Sequence, residues 1–99
     1  MVYKIVFKKR FKDRFEKTLL YIESEFGLAV SQKFAALVER KLKNLQQQPF
    51  IGSTSVTLPH VKSILAGRQN RIYYRIEGKK IVVLNMYDTR INPKRNELK

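Results

Sequence analysis

The segments Arg71-Ile72-Tyr73-Tyr74-Arg75-Ile76 and Ile81-Val82-Val83-Leu84-Asn85-Met86-Tyr87 decide the fold of this chain. Apolar residues alternate with charged or polar ones in the first segment, which is the period-two pattern of a half-buried strand. The second segment is almost continuously apolar, as is typical of a central strand buried on both faces. Because Glu77-Gly78-Lys79-Lys80 between them has the length and the glycine of a hairpin connection, the two segments predict an antiparallel pair.

Two amphipathic helices are predicted upstream of this hairpin, each from an apolar stripe at steps of three to five residues. The first stripe consists of Phe11, Phe15, Leu19, Ile22 and Phe26. The second consists of Val30, Phe34, Leu37, Leu42 and Leu45. Gly27 is suited to end the first helix and Pro49 to close the second, so the short connection between them predicts an antiparallel helical hairpin.

The remaining segments complete an α+β domain of order β-α-α-β-β-β. Val2–Phe7 reads as a strand, Pro49–Pro59 as an irregular loop with a brief extended piece, and Val61–Leu65 as a further strand. We expect the helical hairpin to pack on one face of a mainly antiparallel, twisted sheet, and the other face to be open to a partner. Residues 1–99 are predicted to form one domain, with 91–99 as a flexible tail.

The charge of the chain predicts a polyanionic partner. The 99 residues contain 21 Lys and Arg against 8 Asp and Glu, a formal net charge of +13. Such an excess attracts nucleic acid, ribosomes, anionic membranes or acidic proteins. No stretch is apolar enough for a membrane span or a signal peptide, and the absence of cysteine fits a reducing compartment, so we expect a cytoplasmic protein.

Few catalytic constellations fit the composition. Without cysteine the chain has no thiol nucleophile and no cysteine zinc site, and the sequence contains no phosphate-binding glycine loop. Only three acids follow residue 43, which disfavours a carboxylate-bound magnesium nuclease. We therefore predict no metal and no cofactor. The single histidine, His60, is either a solvent-exposed loop residue or a catalytic group.

The candidate binding residues are basic and aromatic. Arginine holds phosphate through paired hydrogen bonds and tyrosine stacks on bases, although a solvated strand face has the same pattern. The predicted binding set is Lys62, Arg68, Arg71, Tyr73, Arg75, Arg90, Lys94 and Arg95. Tyr87, Asp88 and Arg90 lie at the exit of the last strand, where they form a site, or Asp88 simply pairs with Arg90 or caps the turn. Likewise, the basic run Lys8–Lys17 is either a solvated helix face or an extension of the binding surface.

The chain resembles the RelE/ParE superfamily, the toxin halves of bacterial and archaeal toxin–antitoxin pairs. The resemblance rests on Leu42–Pro49, on Arg71–Ile76 and on Ile81–Arg90 with Asn92-Pro93 after it. The aromatic-Asp-Thr-Arg segment before Asn-Pro is similar to a ParE-like subgroup common in Bacteroidetes. The resemblance implies a small α+β fold, a role in plasmid stabilisation by growth inhibition, and an acidic antitoxin that folds on binding.

Two targets follow from the resemblance. RelE-like members cleave mRNA in the ribosomal A site without metal, whereas ParE-like members poison DNA gyrase and cut nothing. In a cleaving member, Arg71 and Arg90 would hold the phosphate, and Tyr87 would act as base only if cations lowered its pKa well below ~10. Many relatives have a histidine just before the final arginine, where this sequence has Tyr87-Asp88-Thr89. That departure favours a ParE-like, non-cleaving assignment or a member with lost or altered activity.

A second function class stays open at this point. A general nucleic-acid-binding module without toxin activity would share the basic charge and the aromatic strand face, but it would need no acidic protein partner. A short adjacent reading frame that encodes an acidic protein would separate the two hypotheses.

Overall fold

The computed structural model describes residues 2–56 and 58–89 of the chain. In this described part of the chain, two long helices follow the first strand, and four strands follow the helices. The elements are β1 (Lys4–Phe7), α1 (Lys9–Phe26), α2 (Leu28–Gln47), β2 (Ser53–Thr54), β3 (Val61–Ala66), β4 (Asn70–Glu77) and β5 (Lys80–Asp88). The α+β class and the predicted element order are confirmed, with the two-residue β2 as the brief extended piece of the loop. The predicted tail at 91–99 lies outside the described residues.

The five strands form one mixed sheet in the order β1-β5-β4-β3-β2. Strands β2 to β5 pair antiparallel with their neighbours, while β1 pairs parallel with β5 from Lys4–Lys80 to Phe7–Val83. The nearly continuous apolar run of β5 therefore occupies a central position, and its residues from Ile81 to Tyr87 are all buried. This burial on both faces is what such a run predicts.

Both helices cover the same face of the sheet. The main core joins side chains of α1 and α2 to inward-facing residues of β3, β4 and β5. Its buried members are Phe11, Val38, Leu42, Leu45, Ala66, Ile72, Tyr74, Ile81, Val83 and Met86. Within residues 2–56 and 58–89, no helix combines the length and the apolar character that crossing a membrane requires.

The helical hairpin turns at a single residue. Gly27 has φ 96°, a value that favours glycine, and its N–H donates to the Glu23 carbonyl at 2.9 Å. The Ser31 hydroxyl then donates to the Leu19 carbonyl at 3.1 Å and ties the two helices together. Phe26, expected on the buried stripe, is instead 64% exposed, and Val30 is also exposed. The hairpin tip therefore carries exposed apolar side chains.

Tyr74 anchors the loop after α2 to the core. Its fully buried hydroxyl donates to the Pro49 carbonyl at 2.8 Å and accepts the Gly52 N–H at 3.0 Å. A Cβ on Gly52 would lie 2.8 Å from the Ser63 carbonyl oxygen, so only glycine fits this close approach. Burial raises the pKa of the Tyr74 phenol above its ordinary value, although the hydrogen bond from Gly52 opposes this.

The face away from the helices, called the far face below, is less open than the sequence suggests. A second apolar cluster is buried there, formed by Val61, Val82 and Leu84 with the partly buried Leu58 and Tyr73. Leu58 lies in the loop between β2 and β3, so this loop contributes to covering the strands. Arg71, Tyr73 and Arg75 on this face are half-buried and not fully exposed.

Candidate functional site

The strand register collects several predicted residues on the far face. Residues directly opposite each other in neighbouring strands point to the same side of a sheet. Arg71 lies opposite Tyr87, and Tyr73 lies opposite Asn85. A β-bulge between Tyr73 and Tyr74 shifts the register, so that Leu84 also packs with Tyr73. The far face therefore brings together guanidinium, phenol and amide groups from two adjacent strands.

The two arginines of β4 differ in their partners. Arg71 donates from Nη1 to the Ser63 hydroxyl at 2.9 Å, a neutral partner that leaves its positive charge uncompensated in this contact. Arg75 donates from Nε to the Glu77 carboxylate, which forms an ion pair with it. An anion would therefore gain more from Arg71 than from Arg75, because the pair with Glu77 already balances the charge of Arg75.

Tyr87 is buried, and protein groups contact both its ring and its hydroxyl. Its side chain is 2% exposed, and its hydroxyl accepts a hydrogen bond from the Asn85 amide at 3.0 Å. The Arg14 guanidinium lies over the ring, 5.0 Å from its centroid, and Tyr73 packs edge-on at 5.9 Å. Tyr87 thus links helix α1 to the far face, with its phenol turned towards protein groups.

Other predicted residues lie apart from this group. Lys62 is opposite Tyr74 in the register and so projects to the helix side, where its Nζ donates to Thr54 and lies 6.0 Å from the Phe50 ring centroid. Arg68 is exposed in the turn between β3 and β4. Arg90, Lys94 and Arg95 lie outside the described residues.

His60 is exposed in the loop before β3, with a left-handed φ of 71°. This placement agrees with the interpretation as a solvent-exposed loop histidine. Among residues 2–56 and 58–89, no group of three or more His, Cys, Asp or Glu side chains converges in a way that could hold a metal ion.

A cleft of about 1250 Å³ opens beside Tyr87, between the helical hairpin and the last part of β5. Strand β1 stops pairing at Val83, so the following residues of β5 have α1 as their neighbour on that side. The cleft lining includes Arg10, Arg14 and Lys17 from the start of α1 and Tyr21, Phe26 and Val30 from the hairpin tip.

Sequence reasoning missed the positions of Arg14 and Asn85. Arg14 belongs to the basic run at the start of α1. Arg10, Arg14, Lys17 and Tyr21 stand at i, i+4, i+7 and i+11, which places them on one helix face. That spacing is a signal that could have marked them as a group. Asn85 is the one amide within the apolar run of β5, and it is 4% exposed with both its amide atoms hydrogen-bonded.

Comparison with known proteins identifies the family. Residues 5–93 match the family described as "ParE toxin of type II toxin-antitoxin system, parDE". A search of curated proteins gave no match. The chain is similar in structure to a chromosomal ParDE toxin–antitoxin system from P. aeruginosa, with a TM-score of 0.75, 17% sequence identity, and coverage of 88% of this chain and 96% of that chain.

Two further solved structures share the fold. One is the toxin–antitoxin complex RelBE2 from Mycobacterium tuberculosis, with a TM-score of 0.64, 21% identity, and coverage of 89% of this chain and 99% of that chain. The other is an E. coli RelE mutant in the free state, with a TM-score of 0.62, 18% identity, and coverage of 89% and 84%. With its sequence match extending over most of its length, this chain belongs to the ParE toxin family of type II toxin–antitoxin systems.

Proposed function

We propose that this toxin arrests growth by binding a macromolecular target without cutting RNA, with DNA gyrase as the target. The burial of Tyr87 is the observation that carries the absence of RNA cleavage, and the match to the ParE toxin family favours gyrase, the target that the resemblance implies for ParE-like members. A general base must present its oxygen to the proton that it removes, and a tyrosine must also lose its own proton first. The Tyr87 oxygen is enclosed and accepts a hydrogen bond from Asn85, an arrangement suited to a structural role.

The binding surface in this proposal is the basic part of the far face. Arg71, with its charge uncompensated by Ser63, supplies the strongest attraction for an acidic or phosphate group of the target. Tyr73 adds an aromatic surface beside it. Arg90 follows β5 in the sequence and lies outside the described residues, so its contribution to binding stays a prediction.

The proposal includes an acidic antitoxin that neutralises the toxin. Two of the similar structures are described as toxin–antitoxin systems or complexes, and the family description names the same kind of pair. The net charge of +13 favours an acidic binding partner, because complementary charge accelerates association and suppresses wrong partners.

The deciding experiment combines an assay of gyrase with mapping of RNA ends. Purified toxin is expected to inhibit DNA supercoiling by gyrase, and induction in cells is expected to produce growth arrest without new translation-dependent RNA 5′ ends. Arg71→Ala should lose inhibition, whereas Arg40→Ala, an exposed arginine on α2, should retain it. Unchanged supercoiling together with translation-dependent cuts would overturn the proposal.

The alternative within the family is a ribosome-dependent mRNA endoribonuclease. The observation in its favour is that Arg71 lies directly opposite Tyr87, which puts a guanidinium and a phenol side by side on one face. In that case Tyr87→Phe would abolish cleavage while ribosome binding persisted. A protein that binds nucleic acid but never arrests growth would instead fit the general binding module.

A further inference from the structure

The side chain of Arg71 leans over β3 and away from the last strand. Its Cα lies opposite Leu65 of β3 on one side and opposite Tyr87 of β5 on the other. Its guanidinium bonds to the hydroxyl of Ser63, which stands two positions before Leu65 in β3. A long side chain on one face of a sheet can reach such a diagonal neighbour. The cationic end of Arg71 is therefore directed towards the β3 edge of the sheet, and not towards the Tyr87 phenol.

Ser63 orients Arg71 without neutralising it. Ser63 is 8% exposed, and its hydroxyl accepts a hydrogen bond from Arg71 Nη1 at 2.9 Å. A buried hydroxyl costs free energy unless it has such a partner, so the bond satisfies the serine as well as fixing the arginine. Because the hydroxyl is neutral, the positive charge of Arg71 remains available to a ligand. Arg75 on the same strand differs, since its partner Glu77 is a carboxylate that balances its charge.

A cavity of about 290 Å³ lies at this edge of the sheet, and Arg71 is among the residues that line it. Lys41 of α2 supplies a second cation, while Asn44 and Ser53 supply an amide and a hydroxyl. Within the described residues, no carboxylate lines the cavity and neither cation has an ion-pair partner. The rest of the lining is apolar and consists of Leu45, Ile51, Ile64 and Leu65. An anionic group that enters this cavity would meet two uncompensated cations.

We propose that Ser63 is a positioning residue that directs Arg71 into this cavity, and that the group bound there is a carboxylate of the protein target. The inference rests on the proposed function, in which the target is gyrase, and it specifies the site and the chemical group that the toxin recognises. A guanidinium has five N–H donors, so Arg71 can bond to a carboxylate while it keeps Ser63. The apolar half of the lining suits the residues beside that carboxylate in a protein segment, whereas a DNA backbone would bring only sugar and phosphate.

The affinity test uses the full-length toxin and purified DNA-free gyrase, measured by surface plasmon resonance. Ser63→Ala removes the acceptor that orients Arg71 and should weaken binding about fivefold, as expected when one hydrogen bond is lost. Ser63→Thr keeps the hydroxyl and should restore the affinity of the wild type. The matched control is Ser31→Ala, because Ser31 is 7% exposed and its hydroxyl also makes one hydrogen bond, to the Leu19 carbonyl. This control should bind as tightly as the wild type.

Lys41 tests the cavity in the same assay. Lys41→Gln removes the second cation of the lining and should weaken binding about threefold or more, because a charge-assisted contact to the carboxylate is lost. Lys43→Gln removes the same charge two positions along α2, where the side chain is 70% exposed and pairs with Glu39. This second control should bind as tightly as the wild type.

The positioning of Arg71 has a readout that is independent of affinity. In NMR spectra of free, nitrogen-15-labelled toxin, the Nη resonances that disappear in Arg71→Ala report the rotation of its guanidinium about the Nε–Cζ bond. The hydrogen bond to Ser63 slows this rotation, so Ser63→Ala should accelerate it and Ser63→Thr should restore the slower rate. Arg40, exposed on α2, serves as the internal reference.

The outcomes separate the inference from the function beneath it. If gyrase neither binds the wild-type toxin nor loses supercoiling activity in its presence, the proposed function fails and the inference fails with it. If the toxin binds gyrase only when DNA is present, the function stands and the carboxylate assignment fails. If Ser63→Ala binds as tightly as Ser31→Ala, Ser63 does not position Arg71 for the target. Equal affinities of Lys41→Gln and Lys43→Gln would exclude the cavity as the binding site.

Discussion

The two faces of the sheet differ in what covers them, although the same strands build both. On the helix side, Ile72 and Tyr74 are fully buried beneath two helices. On the far face, Arg71 and Tyr73 from the same strand are half-buried and pack beside a small apolar cluster. The alternation within β4 thus places buried core side chains on the helix side and a charged side chain on the far face.

Two neighbouring tyrosines show this division most directly. The Tyr74 hydroxyl donates one hydrogen bond to the loop that follows α2 and accepts another from it, so this hydroxyl stabilises the fold. Tyr73, one position earlier, contacts Tyr87 through its ring on the opposite face. Substitutions on the helix face should therefore change the free energy of unfolding, and substitutions on the far face should change binding.

The largest expected loss of stability is on the helix face. Leu45 is fully buried within the main core, and truncating a buried leucine to alanine removes apolar contacts and leaves a cavity. Leu45→Ala should therefore lower the free energy of unfolding by about 2–5 kcal/mol in urea titrations. Leu20→Ala, at an exposed leucine of α1, is the matched control and should change it little. Equal effects would contradict the assignment of the core.

The next effect comes from the hydroxyl of Tyr74. Tyr74→Phe removes the donor to the Pro49 carbonyl and the acceptor of the Gly52 N–H while it keeps the ring. Leaving such buried groups unpaired should cost about 1–3 kcal/mol in chemical unfolding. Tyr73→Phe tests the neighbouring hydroxyl, for which the described part of the chain offers no hydrogen bond, and it should cost much less.

The raised pKa of Tyr74 predicts a dependence of stability on alkaline pH. Because burial raises the folded-state pKa above the ordinary value of 10.0, the unfolded chain releases this proton first as pH rises. The folded state then holds more protons, so stability present below pH 10 is lost as pH rises above it. The midpoint of thermal unfolding should fall more steeply above pH 10 in the wild type than in Tyr74→Phe. Parallel curves would contradict the assignment.

The fold was largely predictable because its signals are local. Gly27 and Pro49 end the two helices where expected, and the alternation of β4 assigns its two faces correctly. The parallel pairing of β1 with β5 joins segments more than 70 positions apart, for which the sequence contains no local signal. Phe26 continues a helical stripe in sequence, but it is exposed at the hairpin tip.

The candidate site was only partly predictable. Alternation correctly grouped Arg71 with Tyr73, but it could not show that Glu77 pairs with Arg75. The enclosure of Tyr87 depends on Arg14, which comes from a helix more than 70 residues earlier. Such contacts arise from the packing of α1 beside β5, and no spacing within either segment encodes them.

The last comparison is between the two arginines of β4. Substituting them should change stability little, but the two substitutions should differ sharply in their effect on growth arrest. Arg71→Ala removes one hydrogen bond to Ser63 and should cost less than about 1 kcal/mol. It should nevertheless abolish growth arrest on induction, because its charge is available to a target. Arg75→Ala removes a charge that Glu77 already balances, so it should reduce growth arrest only modestly. If Arg75→Ala were the more damaging substitution, the target would approach the far face from the other end of β4.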